Sequence, residues 1–368
     1  MTNMHRRTFL VAAGVTTLAG RSFAVPADSP SVPLQRTGNG EWTYAVVSDW
    51  GALPSGTRFG GTHGAIAEDR SGNIYVSTQS DTGVLVYNRD GRLQRKIATA
   101  YPEIHSLVLA TEAGEQYLYA TVQKGTPKEN WLFLKMKTDG SVVMKITAPR
   151  EAGFKSPNEW RLTAAVPTPD GSIFIANGYG DSRIFRFDKN GNYKASYSEK
   201  GSAEGQLNCS HGLSLDTRYD QPLLLICDRE NRRLCHFDLD GRYLRTVTQH
   251  LRRPCQVSFH GDYAVVSELE GRATILDRDN VPVAFLGDNP QKAQWPITSL
   301  IRSRLMLPCS APRTDALSML RQTSLSRIGT RPDDLPNYPE SSNRKNFVVR
   351  WHSPTGTPTV QTEEAHSK

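Results

Sequence analysis

Three histidines, one tyrosine and one arginine are the side chains with the clearest chemical potential in this sequence of 368 residues. His63, His105 and His211 each begin a short apolar segment. Imidazole nitrogens are common zinc ligands, and three protein ligands plus a water make the usual catalytic zinc site. Tyr179 and Arg229 lie in polar segments, where a phenol can transfer a proton and a guanidinium can hold an anion or carbonyl group. These five residues are the predicted site, provided that the fold brings them together.

A repeat of about fifty residues is the element that would position them. A Gly or Asn follows the third short β-rich run of each unit, at positions 91, 140, 191, 241 and 280, with gaps of 49, 51, 50 and 39 residues. Asp-Gly and Asn-Gly pairs favour type I′ hairpin turns, in which both central residues need positive φ. Each unit therefore predicts three clear strands and room for a fourth, which is one blade of a β-propeller. A β-sandwich is the alternative, but it does not explain a regular period.

The propeller is predicted over residues 41–294, with five recognisable blades in an all-β chain. The first strand of each blade lines the central channel, so the three histidines, at one repeat position, would converge on one axis. The segment from Trp42 to Val47 is predicted to be a strand that closes the ring with the last blade, which hides sheet edges. Closure of this kind favours six blades. The other histidines, including His236, are expected on strand surfaces, in the leader or in the tail.

The two ends of the chain differ from the repeats. Residues 1–24 combine Arg6-Arg7, an apolar stretch and a small-residue end at Ala24, which is typical of a twin-arginine export signal, or of an ordinary secretory signal. Residues 25–40 are predicted to be a loose leader. Residues 295–368 interrupt the repeat pattern, so the sixth blade is expected to be a divergent, loop-rich cap or the product of a reading-frame shift. Either signal predicts a periplasmic or extracellular protein.

The composition limits which classes of partner the protein is expected to bind and which oxidation states its cysteines are expected to have. The net charge of +7 is spread along the chain, so we expect a solvated basic surface and no nucleic-acid partner. No apolar run is long enough for a transmembrane helix in the mature chain. The five cysteines match no zinc motif. Cys227 and Cys235 flank a turn, and in an exported protein they would form either a disulfide or two buried thiols.

Three segments carry a resemblance to a known family. They are Asn177-Gly-Tyr-Gly-Asp-Ser-Arg-Ile, Ser210-His-Gly-Leu-Ser-Leu and Cys227-Asp-Arg-Glu-Asn-Arg-Arg-Leu. In this order and spacing, over about residues 60 to 250, they resemble the NHL-repeat propellers, and among them the peptidyl-α-hydroxyglycine α-amidating lyase family. The resemblance implies a six-bladed propeller with a channel zinc held by three histidines and a structural calcium. It also implies cleavage of a carbinolamide to a peptide amide and glyoxylate.

Matched by motif, Tyr179 corresponds to the family's catalytic tyrosine, His211 to a zinc ligand and Arg229 to an active-site arginine. His105 corresponds to a second zinc ligand by blade order, while His63 resembles the family's His-Gly-Leu motif but lies one blade earlier. The family's third ligand belongs to a Pro-His-Asp/Gly motif in the last blade, which this sequence does not contain.

The sequence therefore predicts an exported, monomeric propeller that resembles the amidating lyase and acts on a small molecule or peptide in its channel. The alternative is a non-catalytic propeller that binds a protein, peptide or glycan on its end face. A lactonase-like hydrolase would need a Glu-Asn-Asp metal set, for which the sequence shows no motif.

Overall fold

The computed structural model describes residues 36–45, 47–48, 50–51, 53, 55, 65–124, 130–288, 291–292 and 347–348. Three short strands precede the repeats: β1 (Arg36–Thr37), β2 (Tyr44–Ala45) and β3 (Val47–Ser48). Within these ranges, short 3₁₀ helices span Gly40–Trp42, Arg150–Ala152 and Pro157–Glu159. The described part of the chain has no helix with the length and hydrophobicity needed to span a bilayer.

The described residues then form five sheets of four antiparallel strands, each with its strands in chain order. Blade 1 contains β4 (Ile66–Glu68), β5 (Ile74–Ser77), β6 (Val84–Tyr87) and β7 (Leu93–Ile97). Blade 2 contains β8 (Glu103–Glu112), β9 (Glu115–Lys124), β10 (Asn130–Lys137) and β11 (Val142–Ile146). Blade 3 contains β12 (Ala164–Pro167), β13 (Ile173–Ala176), β14 (Ile184–Phe187) and β15 (Tyr193–Tyr197). Blade 4 contains β16 (Ser210–Asp216), β17 (Leu223–Asp228), β18 (Arg233–Phe237) and β19 (Tyr243–Thr248). Blade 5 contains β20 (Pro254–His260), β21 (Tyr263–Glu268), β22 (Arg272–Leu276) and β23 (Pro282–Leu286).

The first strands of successive blades contact one another, from β4 to β8, β12, β16 and β20. This contact places the first strand of each blade innermost, as the repeat predicts. The predicted all-β propeller is confirmed for five blades. The sixth blade is predicted in residues 295–368, of which the structure describes only β24 (Phe347–Val348), so it stays a prediction. β24 pairs antiparallel with β3.

Hydrophobic residues fill the spaces between neighbouring blades, because alternate residues of each strand face opposite sides of its sheet. Cys227 packs with Val257 and Val266 of blade 5, whereas Cys235 packs with residues of blade 3. Cys227 pairs with Leu234 across the hairpin, so Cys227 and Cys235 face opposite sides of the sheet. The disulfide alternative is therefore wrong, and both side chains are buried thiols.

The segment before blade 1 packs against both ends of the series of blades. Trp42 is buried against Tyr263 of blade 5, with ring centroids 4.5 Å apart. Trp50 packs on Tyr87 of blade 1, and its indole N–H donates to the carbonyl of Arg89 at 2.9 Å. Trp42 and Trp50 thus contribute to the packing of blades 5 and 1.

Two local predictions need correction. In the outer turns of blades 1 to 4 the glycine alone has positive φ, for example Gly91 at 78° and Gly241 at 81°, so these are not type I′ turns. Asn280 takes the same conformation in blade 5, with φ of 63°. His236, expected on a strand surface, is fully buried, and its Nε2 lies 3.0 Å from the Asp216 carboxylate. His236 pairs with Leu225, which packs in one cluster with Val257 of blade 5, so the register of β18 places His236 on the face that blade 5 covers.

Candidate active site in the channel

The innermost strands of three blades begin with the same backbone irregularity. In β8 the register shifts around His105, in β16 around His211, and in β20 around Cys255. One extra residue in one strand is a β-bulge, which bends the strand and redirects the side chain at that point. The two histidines therefore occupy equivalent positions, as their place in the repeat predicts. The third equivalent position holds Cys255, which sequence reasoning did not assign to the site.

The turns that follow the second strands carry the tyrosine and the arginine. The backbone N–H of Tyr179 donates to the carbonyl of Arg161 at 3.1 Å, just before β12. The backbone N–H of Arg229 donates to the carbonyl of Cys209 at 3.1 Å, just before β16. Each turn is thus attached to the segment that enters its own innermost strand, which directs both side chains toward the channel.

Four of the five predicted site residues meet at one phenolic oxygen. The Tyr179 hydroxyl lies 3.1 Å from His105 Nε2 and 3.0 Å from His211 Nε2. Arg229 Nη1 donates to the same oxygen at 3.4 Å, and its guanidinium lies 5.3 Å from the centre of the Tyr179 ring. The two imidazole rings are 4.9 Å apart between centroids. His63 lies outside the described residues, so its prediction stays untested.

Backbone carbonyls assign the histidine tautomers. His105 Nδ1 lies 2.6 Å from the carbonyl oxygen of Thr163, and His211 Nδ1 lies 3.0 Å from that of Cys255. A carbonyl only accepts, so each Nδ1 carries the proton and each Nε2 presents a lone pair. The Tyr179 hydroxyl has one proton and can donate it to only one of these two nitrogens at a time.

Burial sets the protonation states of this group. It lowers the pKa of His105 to about 3, with a smaller contribution in the same direction from the positive charge of Arg229. It raises the pKa of Tyr179 to about 12, although Arg229 acts in the opposite direction. At neutral pH the site therefore contains a neutral imidazole at His105 and a protonated phenol at Tyr179.

The two imidazoles fit part of a zinc site. Their Nε2 lone pairs converge, and their Nδ1 protons are held by carbonyls, which is how proteins orient histidine ligands for a metal. In the described ranges, no group of three or more His, Cys, Asp or Glu side chains is placed to hold a metal ion. Cys255 directs its Sγ to the carbonyl of Arg253 at 3.4 Å. The described residues thus offer two ligands, His105 and His211.

A repeated polar residue at the end of the second strand holds each entry segment in place. Asn177 accepts a hydrogen bond from the backbone N–H of Arg161 at 2.5 Å, and Asp228 accepts one from the backbone N–H of Asn208 at 2.7 Å. Glu268 does the same for the backbone N–H of Arg252. Sequence reasoning does not predict these hydrogen bonds to the segments that precede the innermost strands. The sequence signal for these hydrogen bonds is the polar residue that ends the second apolar run of each unit.

The described fold and site define a β-propeller with an imidazole–phenol–guanidinium group at the entry of its innermost strands. No protein-family model matches the sequence. The chain is 35% identical over 90 residues to a peptidylglycine alpha-amidating monooxygenase from Rattus norvegicus, and 33% identical over 88 residues to a peptidyl-glycine alpha-amidating monooxygenase from Xenopus laevis. Each match covers 23% of this chain, but only 9% of the rat protein and 10% of the frog protein.

Solved structures similar to this one include a streptogramin B lyase, with a TM-score of 0.49 and 12% identity over 67% of this chain and 74% of that chain. A catalytically inactive virginiamycin B lyase from Staphylococcus aureus, solved with quinupristin, has a TM-score of 0.47 and 14% identity over 67% of this chain and 75% of that chain.

Proposed function

We propose that this propeller is a zinc-dependent carbon–nitrogen lyase that cleaves an α-hydroxyglycine compound, a small molecule or a peptide, in its channel. The observation that carries the proposal is the convergence of His105, His211 and Arg229 on the hydroxyl of Tyr179, at distances of 3.0 to 3.4 Å. These four residues come from three blades and are separated by up to 124 positions in the sequence, from 105 to 229. A group of this kind, buried at the entry of a channel, has the composition of a proton-transfer site.

The sequence resemblance supports the substrate class. The four residues are those that match the amidating lyase family by motif or blade order. The partial match to peptidylglycine alpha-amidating monooxygenases points to the same group of proteins. The matched segment spans about a tenth of the length of those relatives, and their activity is part of the proposal.

His105 and His211 would hold the zinc through Nε2, and His63 is the predicted third ligand. Bound zinc supplies a Lewis acid that polarises a carbonyl or hydroxyl oxygen and lowers the pKa of that hydroxyl. Thr163 and Cys255 contribute through their carbonyl oxygens, which keep both rings in the ligating tautomer. The predicted structural calcium has no assigned residues and stays a prediction.

The reaction needs one proton to move from the substrate hydroxyl to the amide nitrogen while the carbon–nitrogen bond breaks. The electrons of the O–H bond form the aldehyde C=O of glyoxylate, and those of the C–N bond remain on the nitrogen. Tyr179 is protonated at neutral pH, so its phenol can donate to the nitrogen and recover a proton from the hydroxyl. Arg229, at 3.4 Å, stabilises the negative charge that develops on the phenolic oxygen between these two transfers.

Activity and zinc content test the proposal together. Purified protein is expected to contain zinc and to release glyoxylate from an α-hydroxyglycine peptide, and His211→Ala should lose both. His260→Ala is the matched control, because His260 is exposed at the end of β20. Zinc-free protein without lyase activity after zinc addition would contradict the proposal and favour the non-catalytic binding propeller. Export through the twin-arginine signal remains a prediction, which fractionation of the producing cells tests.

A further inference from the structure

Glu230 joins two arginines beside the site. Its Oε1 accepts a hydrogen bond from Arg229 Nε at 2.9 Å and another from Arg253 Nη2 at 2.5 Å. The backbone N–H of Glu230 donates to the carbonyl of Asn208 at 3.0 Å, so the residue is attached to the segment that leads to His211. One carboxylate thus connects the turn after β17 with the entry of β20.

We propose that Glu230 is a positioning residue that holds the guanidinium of Arg229 against the hydroxyl of Tyr179. A guanidinium is a rigid planar fork, so a bond that fixes Nε also fixes the direction of Nη1. With Nε on Glu230, Nη1 of Arg229 reaches the Tyr179 oxygen at 3.4 Å. The side chains of Arg229 and Glu230 are 12% and 33% exposed, so solvent competes little with the contact on the arginine side.

Arg253 serves as the second anchor of the carboxylate. Its backbone has φ of 58°, a conformation that a non-glycine residue rarely takes and that functional sites often retain. Pro254 and Cys255 follow it, and the Cys255 carbonyl accepts from His211 Nδ1. Glu230 therefore lies between the residue that touches Tyr179 and the strand that orients His211.

Glu230 is ionised in this arrangement. Burial raises the pKa of its carboxyl, but the hydrogen bond from Arg253 and the positive charges of Arg229 and Arg253 lower it more, so the net pKa lies below its usual value. The two arginines thus share one negative charge. If Glu230 only balanced the charge of the two arginines, Glu230→Gln and Glu230→Ala would have the same effect on Arg229, because both remove the negative charge. If Glu230 positions Arg229, Glu230→Gln should have the smaller effect, because it keeps a hydrogen-bond acceptor.

The signal of the Arg229 Nε–H group in ¹⁵N-labelled protein separates the two roles without any need for turnover. Assigned by its loss in Arg229→Lys, it should exchange slowly with water in the wild type. It should exchange faster in Glu230→Gln, which keeps an uncharged acceptor, and should disappear in Glu230→Ala. Glu270→Ala is the matched control, because Glu270 binds Arg232 at 2.7 Å on the neighbouring turn. That control should leave the Arg229 signal unchanged.

Arg253→Gln provides a second variant in case Glu230→Ala fails to fold. It should accelerate exchange of the Arg229 Nε–H group while Glu230 is intact. An Arg229 signal with the same exchange rate in the wild type, Glu230→Ala and Arg253→Gln would overturn the positioning role.

The consequence for catalysis rests on the proposed function and is measured separately. Glu230→Ala should lower kcat about ten- to a hundredfold and leave KM within about twofold, because Arg229 acts on the proton-transfer group. A loss of the Arg229 signal without any change in kcat would overturn the catalytic purpose of the contact. An inactive wild-type protein would contradict the proposed lyase activity, whereas the exchange measurement would still decide whether Glu230 holds Arg229.

Discussion

The Tyr179→Phe substitution removes a single oxygen atom from the centre of the site. Two hydrogen bonds are lost at once: the one that the hydroxyl donates to His105 Nε2 at 3.1 Å or to His211 Nε2 at 3.0 Å, and the one that it accepts from Arg229 Nη1 at 3.4 Å. Loss of a partner costs a buried polar group about 1–3 kcal/mol. We therefore expect the free energy of unfolding of metal-free protein to fall by about 1–3 kcal/mol, measured by urea denaturation in the presence of a chelator.

Tyr119→Phe is the matched control for this experiment. Tyr119 is fully buried between blades, and among the described residues its hydroxyl has no hydrogen-bond partner. Removal of that hydroxyl should be neutral or slightly stabilising, because no bond is lost. With zinc bound, Tyr179→Phe should cost less than in the metal-free protein, since the metal then satisfies both Nε2 atoms. Equal unfolding free energies for the two variants without metal would refute the central role of the Tyr179 oxygen.

Three further substitutions test the parts that support the site. Asp216→Asn should lower stability at neutral pH by about 3–5 kcal/mol because it breaks the buried pair with Arg218. The pKa of Asp216 is lowered, since hydrogen bonds from Arg218 and His236 outweigh the effect of burial. Ionised Asp216 therefore contributes stability above its unfolded-state pKa, and this contribution is lost in more acidic solution. When the pH falls below about 4, the free energy of unfolding measured with urea should decrease less in Asp216→Asn than in the wild type. Trp42→Ala should lower the free energy of unfolding by about 3–5 kcal/mol and expose residues 36–45 to limited proteolysis. Unchanged cleavage would contradict the packing of Trp42 on blade 5. Gly212→Ala places a Cβ 2.3 Å from the Cys255 carbonyl oxygen, so it should lower the free energy of unfolding by about 1–3 kcal/mol. It should also weaken zinc binding measured by calorimetry. Zinc affinity equal to that of the wild type would count against the role of this carbonyl in orienting His211.

The repeat made the fold and the convergence of distant residues predictable. His105 and His211 share a place in a unit of about fifty residues, and equal units arranged around an axis bring equal positions together. Tyr179 and Arg229 are predictable for the same reason, since each lies in the polar segment that follows the second strand of its blade.

Other features depend on register and backbone geometry, which single-residue patterns do not encode. The carbonyl oxygens of Thr163 and Cys255 hold the two imidazoles, and any residue type presents the same carbonyl. The pairing of Cys227 with Leu234 shows why a flanked turn does not predict a disulfide, because a shift of one residue reverses the face of the sheet.

Anomalous diffraction at the zinc edge, from crystals of the zinc-loaded protein, tests the central claim most directly. We expect one peak within zinc–nitrogen bonding distance, about 2.0–2.1 Å, of both His105 Nε2 and His211 Nε2, beside the Tyr179 hydroxyl. Zinc bound elsewhere, or a structure in which these two rings point away from each other, would contradict it.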